Sequence, residues 1–224
     1  MHLNIKTARL AGLFYLLQIP LGLFGILYEP TMLVVPNQVA ATVSNILANE
    51  FLFRLSIVSA IACAIITVLT ALLISNLLRP LQQYWANGIV LFAALAAPIS
   101  MINELNHVAV LLLAKSSSPA AGPATYQVET LIAGLLTVHQ YGLKITGIFF
   151  GLWLLPMGLL MIKLKAIPKI IGMLLLVTCA GYLVDFIVFF IYPGSTLVVS
   201  EYTWLGEVLM LLWLFVARNK QTTP

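Results

Sequence analysis

Long apolar runs separated by short polar segments account for most of the chain. Six runs approach the roughly 20 residues that an α-helix needs to cross the hydrocarbon core of a bilayer. They cover residues 8–28, 51–78, 85–114, 130–162, 170–192 and 202–217. The sixth run is short by this measure, and an apolar stretch before Glu201 allows its helix to start earlier. The sequence lacks the short alternating segments of a membrane β-barrel, so the pattern predicts helices.

The composition agrees with a chain that lies mostly in lipid. Hydrophobic residues make up 62% of the 224 residues and charged residues only 8%, whereas charged residues supply about a quarter of an ordinary soluble domain. No linker or charge run divides the sequence. We therefore predict an all-α polytopic membrane protein, in which residues 1–224 form a single domain with six transmembrane helices in one bundle.

The positions of Lys and Arg predict the orientation, because cytoplasmic loops of membrane proteins carry an excess of these residues. One set of run ends carries the bases Lys6, Arg9, Arg79, Lys163, Lys165, Lys169, Arg218 and Lys220. The opposite set carries the acids Glu29, Glu50, Glu129 and Glu201. Both termini are therefore expected in the cytoplasm. The net charge of +4 is scattered rather than clustered, so the expected partner is the lipid bilayer and not a nucleic acid.

A polar stretch interrupts the third run. Residues 101–114 read MINELNHVAVLLLA and place Asn103, Glu104, Asn106 and His107 in an apolar segment. Ionisable groups in membrane spans usually face the bundle interior or a wet cavity and pair with one another. Glu104 and His107 are three residues apart and share a helix face, and this E-x-x-H spacing also occurs in the metal sites of helical bundles.

One interpretation of this spacing is a divalent metal site with Glu104, His107 and His139 as ligands. Asp185 and Glu207 could complete the site from other helices. The preferred interpretation is a buried hydrogen-bonded pair, because a match of two residues is common by chance. Any other cofactor is unknown from the sequence.

Further charged groups lie inside the runs, most of them in the predicted outer half when depth is counted at about 1.5 Å per residue. Arg54, Lys144, Asp185 and Glu207 could form a nearly neutral network with Glu104 and the histidines. Arg54 and Lys144 have an alternative, because long basic side chains can reach water at the membrane surface.

Three stretches have a familiar pattern: NILANEFLFRLSIV at 45–58, VHQYGLKITGIFFGLWLLPMGLLM at 138–161 and IPKIIGMLLLVTCAGYLVDF at 167–186. Together they resemble a family of bacterial multi-pass membrane proteins, domain-of-unknown-function family 4386. The resemblance covers most of the chain and implies a multi-pass protein of the bacterial cytoplasmic (inner) membrane. It also implies that the typical family positions are Arg54, Asn103, Asn106, His139, Tyr141, Gly142, Asp185 and Glu207. Glu104, His107 and Lys144 depart from the family pattern, and the family implies no activity.

The leading hypothesis is a non-enzymatic membrane protein whose outer-half polar cavity binds a small molecule, a lipid headgroup or an ion, with transport as one form of this activity. Its ligand-binding residues would be Arg54, Asn103, Asn106, His139, Tyr141, Asp185 and Glu207. The first alternative is a membrane-embedded metal-dependent hydrolase that uses Glu104, His107, His139, Asp185 and Glu207. The second is a structural or accessory membrane subunit. Whether the protein is an enzyme, and its oligomeric state, stay open at this point.

Overall fold

A computed structural model describes residues 4–116, 123–165, 167–192 and 194–217. Over these residues the chain is almost entirely helical and contains no β-strand. Five of the described helical segments are long and apolar enough to cross a membrane. They are Ile5–Leu33, Glu50–Leu78, Gln83–Ser116, Tyr126–Lys163 and Lys169–Ile191. The predicted all-α membrane class is therefore confirmed.

The helices follow the apolar runs closely. In chain order they are α1 (Ile5–Gly22), α2 (Val39–Ala48), α3 (Glu50–Leu78), α4 (Gln83–Asn103), α5 (Leu105–Ser116), α6 (Pro123–Lys163), α7 (Lys169–Ile191), α8 (Ser200–Thr203) and α9 (Leu205–Val216). The third run is divided between α4 and α5 at Glu104, and backbone hydrogen bonds of helical spacing continue on both sides of this residue. Glu104 therefore lies at an irregular point within an otherwise continuous span.

The first span continues beyond Tyr28, where the sequence predicted its end. Two π-helical segments, Leu23–Leu27 and Glu29–Leu33, extend it to Leu33. Gly25 allows this part of the chain to approach α3 closely, since a Cβ atom at position 25 would lie 2.5 Å from the backbone N of Ala60. Glu29, which the sequence places just beyond the end of the first run, therefore lies within a helical segment and is only 3% exposed. Single π-helical turns occur frequently at functional sites.

The sixth run forms two short helices, α8 and α9, in place of one long helix. The 12 residues of α9 rise by about 18 Å, which is less than the roughly 30 Å thickness of a hydrocarbon core. The count of six spans and the cytoplasmic position of both termini stay predictions. Arg218 and Lys220, on which the orientation partly depends, lie outside the described residues.

The described residues form two compact units, each with its own apolar core. The terminal unit comprises the described residues within 1–18, 65–97 and 144–224, and its core includes Leu154, Met157, Leu160, Leu175 and Leu214. The central unit comprises residues 19–64 and the described residues within 98–143, and its core includes Leu33, Ile46, Phe53, Val110 and Ile132. The prediction of a single domain stays a prediction.

Candidate metal centre

Three buried side chains of the central unit meet in one group. Glu104 comes from the junction of α4 and α5, His107 from the first turn of α5, and His139 from α6. One potential ligand atom of each residue lies within 4.8 Å of the others. The exposed fractions of the three residues are 2%, 1% and 2%. The structure thus brings together the three residues that the sequence grouped as metal ligands, and they could bind a metal ion.

Glu104 contacts both imidazole rings through different oxygen atoms. Its Oε2 atom lies 3.1 Å from Nδ1 of His107, and its Oε1 atom lies 3.1 Å from Nε2 of His139. The two rings also pack against each other, with their centroids 3.6 Å apart and their planes inclined by 30°. The carboxylate and the ring contact together fix the orientation of both histidines.

Glu29 approaches the same group from the second π-helical segment. Its Oε2 atom lies 3.7 Å from Nε2 of His107, which is too long for a hydrogen bond. Both Oε1 of Glu29 and Nε2 of His107 are buried without a hydrogen-bond partner in the described structure. Buried polar side-chain atoms usually have a partner, so these two atoms require an explanation. The sequence reasoning missed Glu29, although the residue follows the first apolar run without a break.

Two asparagines hold the backbone around this group. The Nδ2 group of Asn103 donates a 2.9 Å hydrogen bond to the carbonyl oxygen of His139, which connects the end of α4 to α6. Asn106 donates to both the carbonyl oxygen and Oδ1 of Asn103, at 2.9 and 3.1 Å. Gly142 leaves room for this amide, because a Cβ atom there would collide with the side chain of Asn103. The predicted contact of Asn103 and Asn106 with a ligand stays a prediction.

Arg54 and Tyr141, two further predicted ligand-binding residues, are less enclosed. The Arg54 side chain is 55% exposed and its Nη2 atom lies 2.8 Å from Oε1 of Glu50. Lys115 donates to both oxygens of Glu50, at 3.0 and 3.2 Å. Tyr141 is 42% exposed. Arg54 therefore belongs to an exposed ion-pair group with Glu50 and Lys115, and not to the predicted network with Glu104.

Asp185 and Glu207, both predicted for the same site, belong to the terminal unit. Asp185 accepts hydrogen bonds from the backbone N–H groups of Val199 and Ser200, at the start of α8. Glu207 accepts hydrogen bonds from two tyrosine hydroxyl groups. Lys144, another member of the predicted network, lies over the ring of Phe189, with Nζ 5.5 Å from the ring centroid. Each predicted charge therefore has its own partners, and the group that could bind a metal comprises Glu104, His107 and His139.

The helices and their apolar surfaces define a multi-pass helical membrane protein. The model of the family described as "Domain of unknown function (DUF4386)" matches residues 10–217, so the chain belongs to this family. An uncharacterized protein from Archaeoglobus fulgidus (strain ATCC 49558 / DSM 4304 / JCM 9628 / NBRC 100126 / VC-16) is 34% identical over 85 residues. This match covers 38% of the present chain and 51% of the relative, so the chain spans about half of the relative's length. No solved structure gives a significant match.

Proposed function

We propose that this membrane protein binds one divalent transition-metal ion at the buried group of Glu104, His107, His139 and Glu29. In this proposal Nε2 of His107 and the carboxylate of Glu29 are ligands, and Glu104 is the acceptor that orients the two histidines. The observation that carries the proposal is the pair of unpartnered buried atoms, His107 Nε2 and Glu29 Oε1, on side chains 3.7 Å apart. Imidazole nitrogen and carboxylate oxygen are common ligands of zinc, iron and manganese.

The separation between His107 and Glu29 supports a shared cation. Two ligand atoms bound at about 2.0–2.1 Å in tetrahedral geometry lie roughly 3.4 Å apart. The 3.7 Å distance between Nε2 of His107 and Oε2 of Glu29 is close to this value. A direct hydrogen bond between the same atoms would require a distance of about 3 Å. Little movement would therefore allow both atoms to bind one ion.

The hydrogen bonding of His107 supports the same conclusion. A neutral imidazole has one N–H donor and one acceptor nitrogen. If Nδ1 donates to Glu104, as their 3.1 Å separation allows, the lone pair of Nε2 points towards the carboxylate of Glu29. Two buried acceptors that face each other repel, whereas a cation between them satisfies both. A carboxylate that orients a metal-binding histidine through its other ring nitrogen is common in metal sites.

Charge balance also supports a divalent ion. Glu29 and Glu104 carry two negative charges when ionised, and the two histidines are neutral when they act as metal ligands. Buried charges in a membrane are unfavourable unless they are compensated. An ion of charge +2 would make this buried group neutral.

The experiment is a measurement of metal content and zinc binding. Purified protein, and protein dialysed against zinc, is analysed by elemental mass spectrometry beside the variants His139→Ala and Glu50→Gln. We expect one ion per chain in the parent, loss of the ion in His139→Ala, and full retention in Glu50→Gln, because Glu50 belongs to the exposed ion-pair group. No stoichiometric binding of zinc, iron or manganese by the parent would reject the proposal and would favour a structural or accessory role.

A hydrolase is the second candidate, and the position of Glu29 favours it. Catalytic zinc sites commonly have three protein ligands and one water molecule, and a nearby carboxylate can act as the general base. Glu104, His107 and His139 could supply the three ligands, and Glu29 could then be the base. A Glu29→Gln variant that keeps its metal but loses hydrolysis of a chromogenic fatty-acyl ester in detergent would support this alternative.

The sequence suggested an outer-half polar cavity that binds a small molecule, a lipid headgroup or an ion. Of these three ligands we favour an ion, because Glu29, Glu104, His107 and His139 have the chemistry of a cation site. Transport of the bound ion across the membrane is the activity that would follow from this site. Uptake of radioactive zinc into vesicles that contain the parent, compared with vesicles that contain His139→Ala, tests transport directly. Equal uptake by both preparations would leave binding without transport.

For the topology, we propose six spans, with both termini in the cytoplasm of a bacterial cell and the chain in its cytoplasmic membrane. The close packing of α9 on α7 supports a sixth span, since a Cβ atom at Gly206 would lie 2.6 Å from the backbone of Leu174. A C-terminal fluorescent protein that matures only in the cytoplasm tests the orientation. Fluorescence is the expected result, and its absence together with activity of a matching periplasmic reporter would indicate five spans.

A further inference from the structure

A second polar group, separate from the proposed metal centre, lies in the terminal unit. Glu207 is the only charged residue in α9, whose sequence is LGEVLMLLWLFV. Its Oε2 atom accepts a 2.7 Å hydrogen bond from the hydroxyl group of Tyr15 in α1. Its Oε1 atom lies 3.5 Å from the hydroxyl group of Tyr182 in α7. Side chains from two other helices therefore hold one carboxyl group by its two oxygen atoms.

The surroundings of this group are apolar. Tyr15 is 7% exposed and stacks on Trp153, with ring centroids 5.9 Å apart. Trp153 is 3% exposed, and Met210 and Leu211 in the next turn of α9 are also buried. Glu207 itself is half-buried, and the side chains packed around it offer few polar groups to stabilise a negative charge.

Among the described residues, no basic side chain forms an ion pair with Glu207. On the neighbouring helices, Lys6, Arg9 and Lys169 are exposed, Lys144 lies over Phe189, and Lys163 donates to Gln82. The nearest acid along α7, Asp185, accepts hydrogen bonds from backbone N–H groups at the start of α8, and Glu201 in α8 is exposed. The titratable groups that face Glu207 are therefore the two phenols.

The two tyrosines suit a carboxyl group in either protonation state. A phenolic hydroxyl group can donate and accept a hydrogen bond. When Glu207 is ionised, both tyrosines can donate to it. When Glu207 is protonated, its own O–H group can donate to Tyr182 while Tyr15 continues to donate to Oε2. Because both oxygen atoms of the carboxyl group keep a hydrogen-bond partner in either state, a proton can enter and leave without rearrangement of the helices.

We propose that Glu207 is a reversible proton-binding site among the helices of the terminal unit, positioned by Tyr15 and Tyr182. No basic side chain among the described residues neutralises the carboxylate of Glu207, so a bound proton takes that role. Carboxyl groups within membrane spans form proton pathways in membrane transporters and pumps. The proposal uses residues outside the metal centre and does not depend on metal binding.

Infrared spectroscopy tests this proposal, because a carboxylic acid and a carboxylate absorb at different frequencies. Spectra of the parent and of Glu207→Gln are recorded in detergent across a pH series, and their difference isolates the signal of Glu207. We expect the acid signal at neutral pH and its reversible loss at alkaline pH. Glu201→Gln is the matched control and should remove only a carboxylate signal at neutral pH, because Glu201 is exposed.

The Tyr15→Phe variant tests whether the hydroxyl group of Tyr15 positions the carboxyl group of Glu207 or whether the ring only packs against it. Loss of this donor removes stabilisation of the ionised carboxylate, so the acid signal of Glu207 should persist to higher pH than in the parent. Circular dichroism and gel filtration check that the variant is folded. A parent that shows only the carboxylate form of Glu207 at neutral pH would overturn the proposal. An acid signal that never titrates while the protein stays folded would also overturn it.

If Glu207→Gln does not fold, labelling of the parent replaces the difference spectrum. Dicyclohexylcarbodiimide reacts with protonated carboxyl groups in apolar surroundings, and peptide mass spectrometry identifies the labelled residue. We expect label on Glu207 at neutral pH and a large decrease at alkaline pH. Absence of label at every pH, in protein that is labelled elsewhere, would reject the proposal.

Discussion

The Nε2 atom of His107 lies 3.7 Å from Oε2 of Glu29, although the two residues are far apart in the sequence and both are almost completely buried. This relationship depends on an irregular helix on each side of the pair. The π-helical segment Glu29–Leu33 places the carboxylate, and the junction of α4 and α5 places His107 with its partner Glu104. Irregular turns of this type often occur at functional sites, which supports a role for the pair beyond packing.

Replacement of Glu29 by Gln should weaken metal binding while the protein stays folded. The amide can donate a hydrogen bond to Nε2 of His107, so the metal-free variant gains a partner for an atom that the parent leaves without one. Loss of one charged oxygen donor should lower the affinity for zinc by at least about tenfold, the lower limit measured for partners of metal ligands. Competition with a fluorescent zinc chelator measures the affinity.

Glu50→Gln is the matched control for this measurement, because Glu50 lies in the same unit but belongs to the exposed ion-pair group. Its zinc affinity should equal that of the parent. Equal affinities for Glu29→Gln and the parent would exclude Glu29 as a ligand and leave only Glu104, His107 and His139.

Replacement of Gly142 by Ala should disturb the metal centre without changing any proposed ligand. The new methyl group would collide with the Asn103 side chain, which donates to the carbonyl oxygen of His139. Overpacking of this type costs about 1–3 kcal/mol. We expect a lower midpoint of thermal unfolding in detergent, together with weaker zinc binding because His139 moves.

Gly134→Ala is the control in the same helix, since a Cβ atom at this position would meet no other atom within 4 Å. Removal of a glycine from a helix interior stabilises it by roughly 0.5–1 kcal/mol. The two substitutions should therefore change the unfolding midpoint in opposite directions. A Gly142→Ala variant as stable as Gly134→Ala would show that Asn103 can move away freely.

The local parts of this site could be predicted from the sequence, and the long-range parts could not. The spacing of Glu104 and His107 places them on one helix face in any helix, and the structure agrees with their 3.1 Å contact. The contact of Glu104 with His139 depends on the packing of α6, which spacing does not describe. The first span was predicted to end at Tyr28, but it continues to Leu33. Pro30 usually ends or interrupts a helix, whereas here it lies at the start of a π-helical segment.

The predicted charge network shows the same limit. Arg54 was grouped with distant acids, although Glu50 lies four residues before it, at the spacing of a helical ion pair. The structure contains this local pair, with 2.8 Å between Nη2 and Oε1. Apolar run length predicted the five long spans well because crossing a bilayer imposes a minimum length. Run length does not predict where α9 begins and ends, because the ends of this helix depend on tertiary contacts.

Replacement of Asp185 by Ala should destabilise the connection between α7 and α8. Asp185 accepts hydrogen bonds from the backbone N–H groups of Val199 and Ser200, as a helix cap does. Loss of a cap costs about 0.5–2 kcal/mol. Asp185→Asn keeps one side-chain oxygen and should lose less. Thermal unfolding measures both, and metal content should be the same as in the parent, because Asp185 belongs to the terminal unit. Loss of metal in Asp185→Asn would indicate that Asp185 is a metal ligand, as the sequence suggested.

Zinc should stabilise the parent against thermal unfolding, whereas magnesium should not. A ligand that binds only the folded state stabilises it by about 2.7 kcal/mol when its concentration is 100 times its dissociation constant. For a chain of this length such a gain corresponds to an increase of roughly 5–10 °C in the unfolding midpoint. The two imidazoles favour zinc, because magnesium prefers a shell of oxygen ligands.

Two variants are the controls for this measurement. His139→Ala should abolish the increase in the unfolding midpoint, and Glu50→Gln should retain it. An equal increase with magnesium and zinc in every variant would indicate non-specific binding of cations, and the paired carboxylate and imidazoles would then serve packing alone.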